Sequence, residues 1–129
     1  MEARVVINKE NEKDLSLEEF LNKNEKYDKV SFYEVLDLVP PDDLLKLIAT
    51  IKIKLNSKAT ISIQGFDLYE LAYAIVNDRL STINFNKIIE NKKQILCVSD
   101  LLYILSYLGF KIIGKDIDAM RYMVEAESV

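Results

Sequence analysis

"YDKVSFYEVLDLVPPDDLLKLI", residues 27–48, decides how the rest of the chain is read. Val30, Phe32, Val35, Leu36, Leu38 and Val39 give its first half the aromatic and branched content of a central strand, ending near Tyr33 or Val35. Pro40 and Pro41 hold the chain extended and offer a ready first helical turn, and Asp42 and Asp43 complement the positive helix end. Leu44, Ile48, Ile51 and Leu55 then recur at helical spacing, with Lys52 and Lys54 near the negative end. Strand, turn and amphipathic helix make one α/β unit, preceded here by only 26 residues.

Upstream, Arg4 to Asn8 is a short β-branched run that predicts a strand. Ser16 with Glu19 three residues later forms a capping box for a short helix burying Leu17, Phe20 and Leu21. Downstream, Lys58 to Gln64 (KATISIQ) predicts a second strand, stopped by Gly65. Asp67, with Glu70 three residues on, is the expected N-cap of a helix carrying Leu68, Leu71, Ala72, Ile75 and Val76. A short helix is expected around Phe85 to Asn91. Ser99 is read as the cap of an apolar helix over Asp100 to Leu108, terminated by Gly109. Phe110 to Ile113 and Ala119 to Ala126 are read as two antiparallel strands joined by a loop over Gly114 to Asp118. The pattern predicts an α/β fold: a mostly parallel sheet with an antiparallel C-terminal hairpin and helices on both faces.

The chain has 129 residues, half of them hydrophobic, which suits one compact domain over 1–129. With 17 basic against 21 acidic residues the net charge is −4 and the lysines are dispersed, which disfavours nucleic-acid binding through phosphate neutralisation. Cys97 is the only cysteine and there is no histidine, so an internal disulfide and the usual zinc or iron ligand sets are excluded, and no metal site is assigned. No apolar run approaches the ~20 residues that cross a bilayer, and the N-terminus lacks the features of a secretory signal, so a cytoplasmic protein without membrane partners is expected. Abundant Ile, Lys and Asn with few Gly, Pro and Arg point to an AT-rich genome, such as that of a phage or a reduced bacterium.

From Tyr27 onward the order of parts resembles the second half of a class I S-adenosylmethionine-dependent methyltransferase, a Rossmann-like fold. Tyr27-Asp28-Lys29-Val30 followed by Glu34-Val35-Leu36 resembles that family's fourth strand and turn, Leu44 to Leu55 the next helix, and Ala59 to Gly65 the fifth strand. Ser99 to Gly109 with Phe110-Lys111-Ile112 resembles a late helix ending in a Gly-Phe pair, and Met123-Val124-Glu125-Ala126 the closing antiparallel strand. The family's glycine-rich cofactor turn has no counterpart: after Arg4 to Asn8 comes Lys9-Glu10-Asn11-Glu12, and Gly65, Gly109 and Gly114 are the only glycines. The family's second strand, with its ribose-binding acid, is not identifiable either. The resemblance therefore implies a truncated methyltransferase-like sheet, and no catalytic or cofactor-binding residue is carried across.

Open parallel sheets bind ligands beyond the C-terminal strand ends, which makes Glu34, Asp37, Gln64, Asp67 and Tyr69 the candidate crevice residues. The plainer reading, which we prefer, makes Asp67 a helix cap, Glu34 and Asp37 solvated turn residues, and Gln64 a strand-end residue. Tyr69/Tyr73 and Tyr103/Tyr107, each pair four apart, read as amphipathic core edges in preference to a tyrosine-lined groove for a base or a partner. Cys97 reads as a small hydrophobe, and Ser99 has no histidine to activate it.

The function expected is that of a non-catalytic, methyltransferase-derived interaction or regulatory protein, without cofactor. It would self-associate as a homo-oligomer, or bind a protein partner, through an exposed sheet edge. The alternatives are an S-adenosylmethionine-dependent methyltransferase whose site a partner chain completes, and a structural subunit of a larger assembly.

Overall fold

The computed structural model describes residues 1–6 and 9–129. Six strands form one sheet in the order β2-β1-β3-β4-β6-β5: β1 (Glu2–Val5), β2 (Asp14–Leu15), β3 (Tyr27–Tyr33), β4 (Leu55–Phe66), β5 (Phe110–Asp118) and β6 (Arg121–Ser128). The helices are α1 (Leu17–Asn22), α2 (Leu44–Ile53), α3 (Leu68–Val76), α4 (Thr82–Ile89) and α5 (Val98–Tyr107). β1 to β4 pair in parallel, and β6 runs antiparallel to both β4 and β5. The α/β class, the mostly parallel sheet and the antiparallel C-terminal hairpin are as the sequence predicts. No helix among the described residues is long and apolar enough to cross a membrane.

Local signals explain most boundaries. Ser16 accepts from the Glu19 N–H while the Glu19 carboxylate accepts from the Ser16 N–H, the capping box that starts α1. Pro41 opens a 3-10 turn that leads into α2, which buries Leu44, Leu47, Ile48 and Ile51. Leu55, read from its spacing as the last residue of that helical stripe, instead begins β4 opposite Tyr27. The expected strand over Arg4 to Asn8 is β1, which ends at Val5; Ile7 and Asn8 lie outside the described residues.

A second strand also exists where the sequence showed none. β2 is two residues long and is held to β1 by the Arg4–Asp14 ion pair at 2.8 Å, directly across the register, with Leu15 buried beside it. Burial opposes the charge on Asp14, but hydrogen bonds from the Glu10 N–H and the Arg4 guanidinium win and hold its carboxyl below the ordinary value. Asp14 is therefore a charge that favours the fold at neutral pH and ceases to do so only in strong acid.

Val5, Val30, Phe32, Ala59, Ile61, Ile63, Tyr122, Val124 and Ala126 point to one side and form a single core with Phe20 of α1, the buried stripe of α2 and Leu101 and Leu105 of α5. Alternating with them, Glu2, Arg4, Lys29, Ser31, Thr60, Ser62 and Glu125 point to the other side and stay half-buried or exposed. Two open grooves, of about 630 Å³ and 140 Å³, run over that side, and no helical residue lines either. Across β1, β3 and this part of β4, no helix among the described residues lines the polar side. The polar alternation of Lys58, Thr60, Ser62 and Gln64 is the physical reason, since water satisfies that face.

The hairpin is tighter than the sequence suggests. Gly114 lies within β5 beside a bulge, and Asp118 pairs with Arg121 across a two-residue turn of Ala119 and Met120. Both have positive φ, 50° and 66°, the geometry that favours Asn-Gly. The double substitution Ala119→Asn with Met120→Gly should raise stability by about 1 kcal/mol, because left-handed backbone costs about 1–2 kcal/mol per ordinary residue. Thermal unfolding of the variant should show a higher midpoint, and a lower one would refute the strain assignment.

Candidate functional site

The chain crosses from one side of β1 to the other between β2 and β3, so the sheet's switch point lies between β1 and β3. Arg4 stands there, its guanidinium 4.9 Å from the centre of the Tyr33 ring and paired with Asp14 and, at 3.7 Å, Glu10. The segment after β1 offers carboxylates and bulk to this position.

Beyond the ends of β3 and β4 lies the polar cluster that the sequence reading singled out, and its members differ in role. Glu34 follows β3 with φ of 59°, donates its N–H to the Gln64 carbonyl at 2.8 Å, and turns its carboxylate toward Lys92 at 3.6 Å and Arg121 at 3.4 Å. Asp37 is buried, not solvated, and meets Lys92 Nζ at 3.1 Å. Gln64 contributes its backbone carbonyl, while its side chain is half-buried on the open face by strand parity. Tyr69 stacks on Tyr73 with ring centres 6.5 Å apart and is two-thirds exposed.

Asp67 is the buried helix cap that the plainer reading expects, and it caps two helices. Its Oδ2 accepts from the Glu70 N–H at 2.9 Å to start α3, and its Oδ1 accepts from the Val98 N–H at 2.7 Å to start α5. The helix expected from Ser99 therefore begins at Val98, with Cys97 at the cap position making no side-chain bond there. A contact 31 residues away in sequence replaces the local serine. Asp67→Ala should cost about 2–3 kcal/mol, more than an ordinary cap, since two buried charge-assisted hydrogen bonds are lost. Denaturant unfolding checks this, and a loss below about 1 kcal/mol would show that α5 does not depend on the bond.

The residues that the sequence reading missed come from the polar segment after α4 and from the start of β6. Lys92 is nearly buried, Lys93 donates its N–H to the Asp37 carbonyl at 2.8 Å, and the Gln94 amide donates to the Val39 carbonyl at 2.9 Å. Leu96 forms a bridge with Asp67. This segment fills the crevice from within the chain. Nothing in Glu90-Asn91-Lys92-Lys93-Gln94 marks which lysine is buried; only the pairing with Asp37, 55 residues earlier, decides it. Phe66 completes the cluster, with the Arg121 guanidinium 4.3 Å and Lys92 Nζ 5.6 Å from its ring centre.

Burial raises the Asp37 carboxyl above its ordinary 3.8, against the pull of Lys92 and with a further push from Glu34. The folded chain thus takes up this proton before the unfolded chain does. The contribution of Asp37 to stability grows as pH falls from the raised value toward 3.8. Burial also pushes the Tyr122 phenol up, aided by the charges of Asp37, Asp67 and Glu34, so it stays protonated. Lys92→Met should cost about 3 kcal/mol at pH 7, because it strands a buried carboxylate, and should recover part of that in mildly acidic buffer, since burial favours the protonated form of Asp37. Urea unfolding of both proteins at the two pH values tests this. An equal loss at both would mean that Asp37 is not the group left unpaired.

No family model matches the chain, and no curated protein does. Solved structures do. Magnesium protoporphyrin IX methyltransferase from Synechocystis PCC 6803 with bound SAH superposes with a TM-score of 0.60 at 16% identity, covering 84% of this chain and 48% of that one. A SAM-dependent methyltransferase from Archaeoglobus fulgidus gives 0.64 at 17% identity, covering 98% and 86%. An O-methyltransferase family protein from Burkholderia thailandensis gives 0.64 at 10% identity, covering 89% and 34%. The chain thus spans about half the length of the first of these and about a third of the last. Sequence identity this low speaks for fold alone, and that fold is the Rossmann-like α/β fold of S-adenosylmethionine-dependent methyltransferases.

Proposed function

We propose that this chain is a non-catalytic protein of methyltransferase-like fold that acts in the cytoplasm as an interaction or regulatory module. The observation that carries this reading is the filled crevice: Lys92 and Gln94 occupy the space beyond the ends of β3 and β4, next to the β1/β3 switch point where an open α/β sheet takes its ligand. The segment after β1 supports it, since Lys9 to Asp14 contains no glycine for close backbone approach to a cofactor.

Association through a sheet edge is part of the proposal, and β5 is the edge long enough to serve. β2 offers two residues at one end of the sheet, whereas β5 offers nine at the other. Ile113 and Ile117 are exposed along β5 among charged neighbours. A second copy or another protein would pair there.

The competing reading is an S-adenosylmethionine-dependent methyltransferase whose site a partner chain completes. The 630 Å³ groove over β1 and β3, beside residues 11–14, favours it, as does the SAH held by the Synechocystis enzyme. Titration calorimetry with S-adenosylmethionine and with S-adenosylhomocysteine separates the two, run at the oligomeric state found by light scattering. We expect no binding heat at any protein concentration. Saturable binding by either ligand would overturn the non-catalytic reading.

A further inference from the structure

Lys92 is held in an unusual way for a lysine. Its ammonium is nearly buried, with Asp37 Oδ2 at 3.1 Å, Glu34 Oε1 at 3.6 Å and the Phe66 ring centre at 5.6 Å. Two carboxylates and an aromatic face around one nitrogen are the elements of a site for an organic cation. We propose that Lys92 is the tethered occupant of a cation cage, and that Asp37, Glu34 and Phe66 take a small primary ammonium ligand in its place when residues 91–94 lift away. This goes beyond an interaction role and does not depend on it.

The cage is imperfectly satisfied by its tethered guest. Among the described residues, Asp37 Oδ1 is buried with no hydrogen-bond partner, and so is the Tyr122 hydroxyl. An unpartnered buried oxygen is destabilising, so the arrangement has something to gain from a better-placed donor. A primary ammonium has three N–H groups, and Lys92 makes one side-chain hydrogen bond here, to Asp37 at 3.1 Å, with an ion pair to Glu34 at 3.6 Å. A free ammonium, without a chain to restrict it, can move deeper between the two Asp37 oxygens. Arg121 closes the outer wall, paired with Glu34 and stacked on Phe66, and is itself half exposed. Among the described residues no three His, Cys, Asp or Glu side chains converge to hold a metal ion, which favours an organic cation over a metal.

Glu34 and Asn91 both hold positive φ, 59° and 65°, and the segment is fastened to the crevice through few groups: Lys92, the N–H groups of Lys93 and Gln94, and the Gln94 amide. Lifting it frees Lys92 while β3 and β4 keep their own ladders.

The test removes the tether and supplies the ammonium. Lys92→Ala should lose thermal stability and regain it on titration with propylammonium chloride, with saturation. Sodium chloride and tetramethylammonium chloride at equal ionic strength should not restore it, since neither has an N–H to donate. The Asp37→Asn, Lys92→Ala double variant should not respond. The wild-type protein should need about tenfold more propylammonium or greater, because the tethered lysine competes at an effective concentration of millimolar order or above. A gain in Lys92→Ala no larger than in the double variant, or an equal gain with tetramethylammonium, overturns the cage. Hydrogen exchange of the wild-type protein gives a reading that needs no variant. Protection at the Lys93 and Gln94 amides should fall as propylammonium rises, and unchanged protection throughout the titration overturns the exchange of occupants.

Discussion

The carboxylate of Asp67 is the constraint on which the rest of the structure turns. It sits directly after β4, is buried, and fixes the first turns of both α3 and α5 through charge-assisted hydrogen bonds. Its own N–H donates to the Met120 carbonyl at 2.9 Å, so the β5–β6 turn is tied to the same residue. One position thereby joins the end of the sheet, two helices and the closing hairpin. The left-handed Ala119–Met120 turn is held in its unfavourable region by these surroundings, since Met120 is bonded to Asp67 and Arg121 to Glu34.

The second organising fact is a largely parallel sheet whose face over β1, β3 and part of β4 is polar and open. Parallel strands usually lie between two layers of helices and read as continuous apolar runs. Here Asn56, Lys58, Thr60, Ser62 and Gln64 of β4 are polar at every second position, and Glu2 and Arg4 of β1, Ser31 of β3 and Glu125 and Glu127 of β6 share that parity. Covering that face with an apolar layer would bury Arg4, Lys29 and Glu125, at a desolvation cost of several kcal/mol for each unpaired charge. The solvated face therefore directs association to the edges, and the long edge, β5, is itself partly guarded by its bulge and by Lys111, Lys115 and Asp116.

A shared fold and an inherited activity are separate matters. The superposition with methyltransferases rests on strand order and helix placement, whereas ligand binding in such sheets depends on what stands beyond the strand ends. In this chain that space holds Asp37, Lys92, Glu34 and Arg121, two charges of each sign, together with the Gln94 amide. The cluster is electrostatically closed upon itself, which is why the crevice reads as a site already occupied.

Sequence by itself determined the elements whose signals are local. The Ser16–Glu19 capping box, the Pro41 helix entry, the Asp67 cap of α3 and the strand cores at Val30–Phe32 and Ala59–Ile63 follow from residues within four positions of one another. The alternation that leaves the face over β1, β3 and part of β4 open was also written in KATISIQ. Tertiary structure alone decided what depends on distant partners. Ser99 lost the start of α5 to Asp67, Asp37 became buried because Lys92 came to it, and β2 formed from two residues because Arg4 lay opposite Asp14. The hairpin turn fell on Ala119–Met120 rather than at Gly114 because the β4–β6 and β5–β6 registers, not the turn residues, fixed its place. A charge or a cap shows its role only when its partner is known, and these partners lie between 10 and 55 residues away.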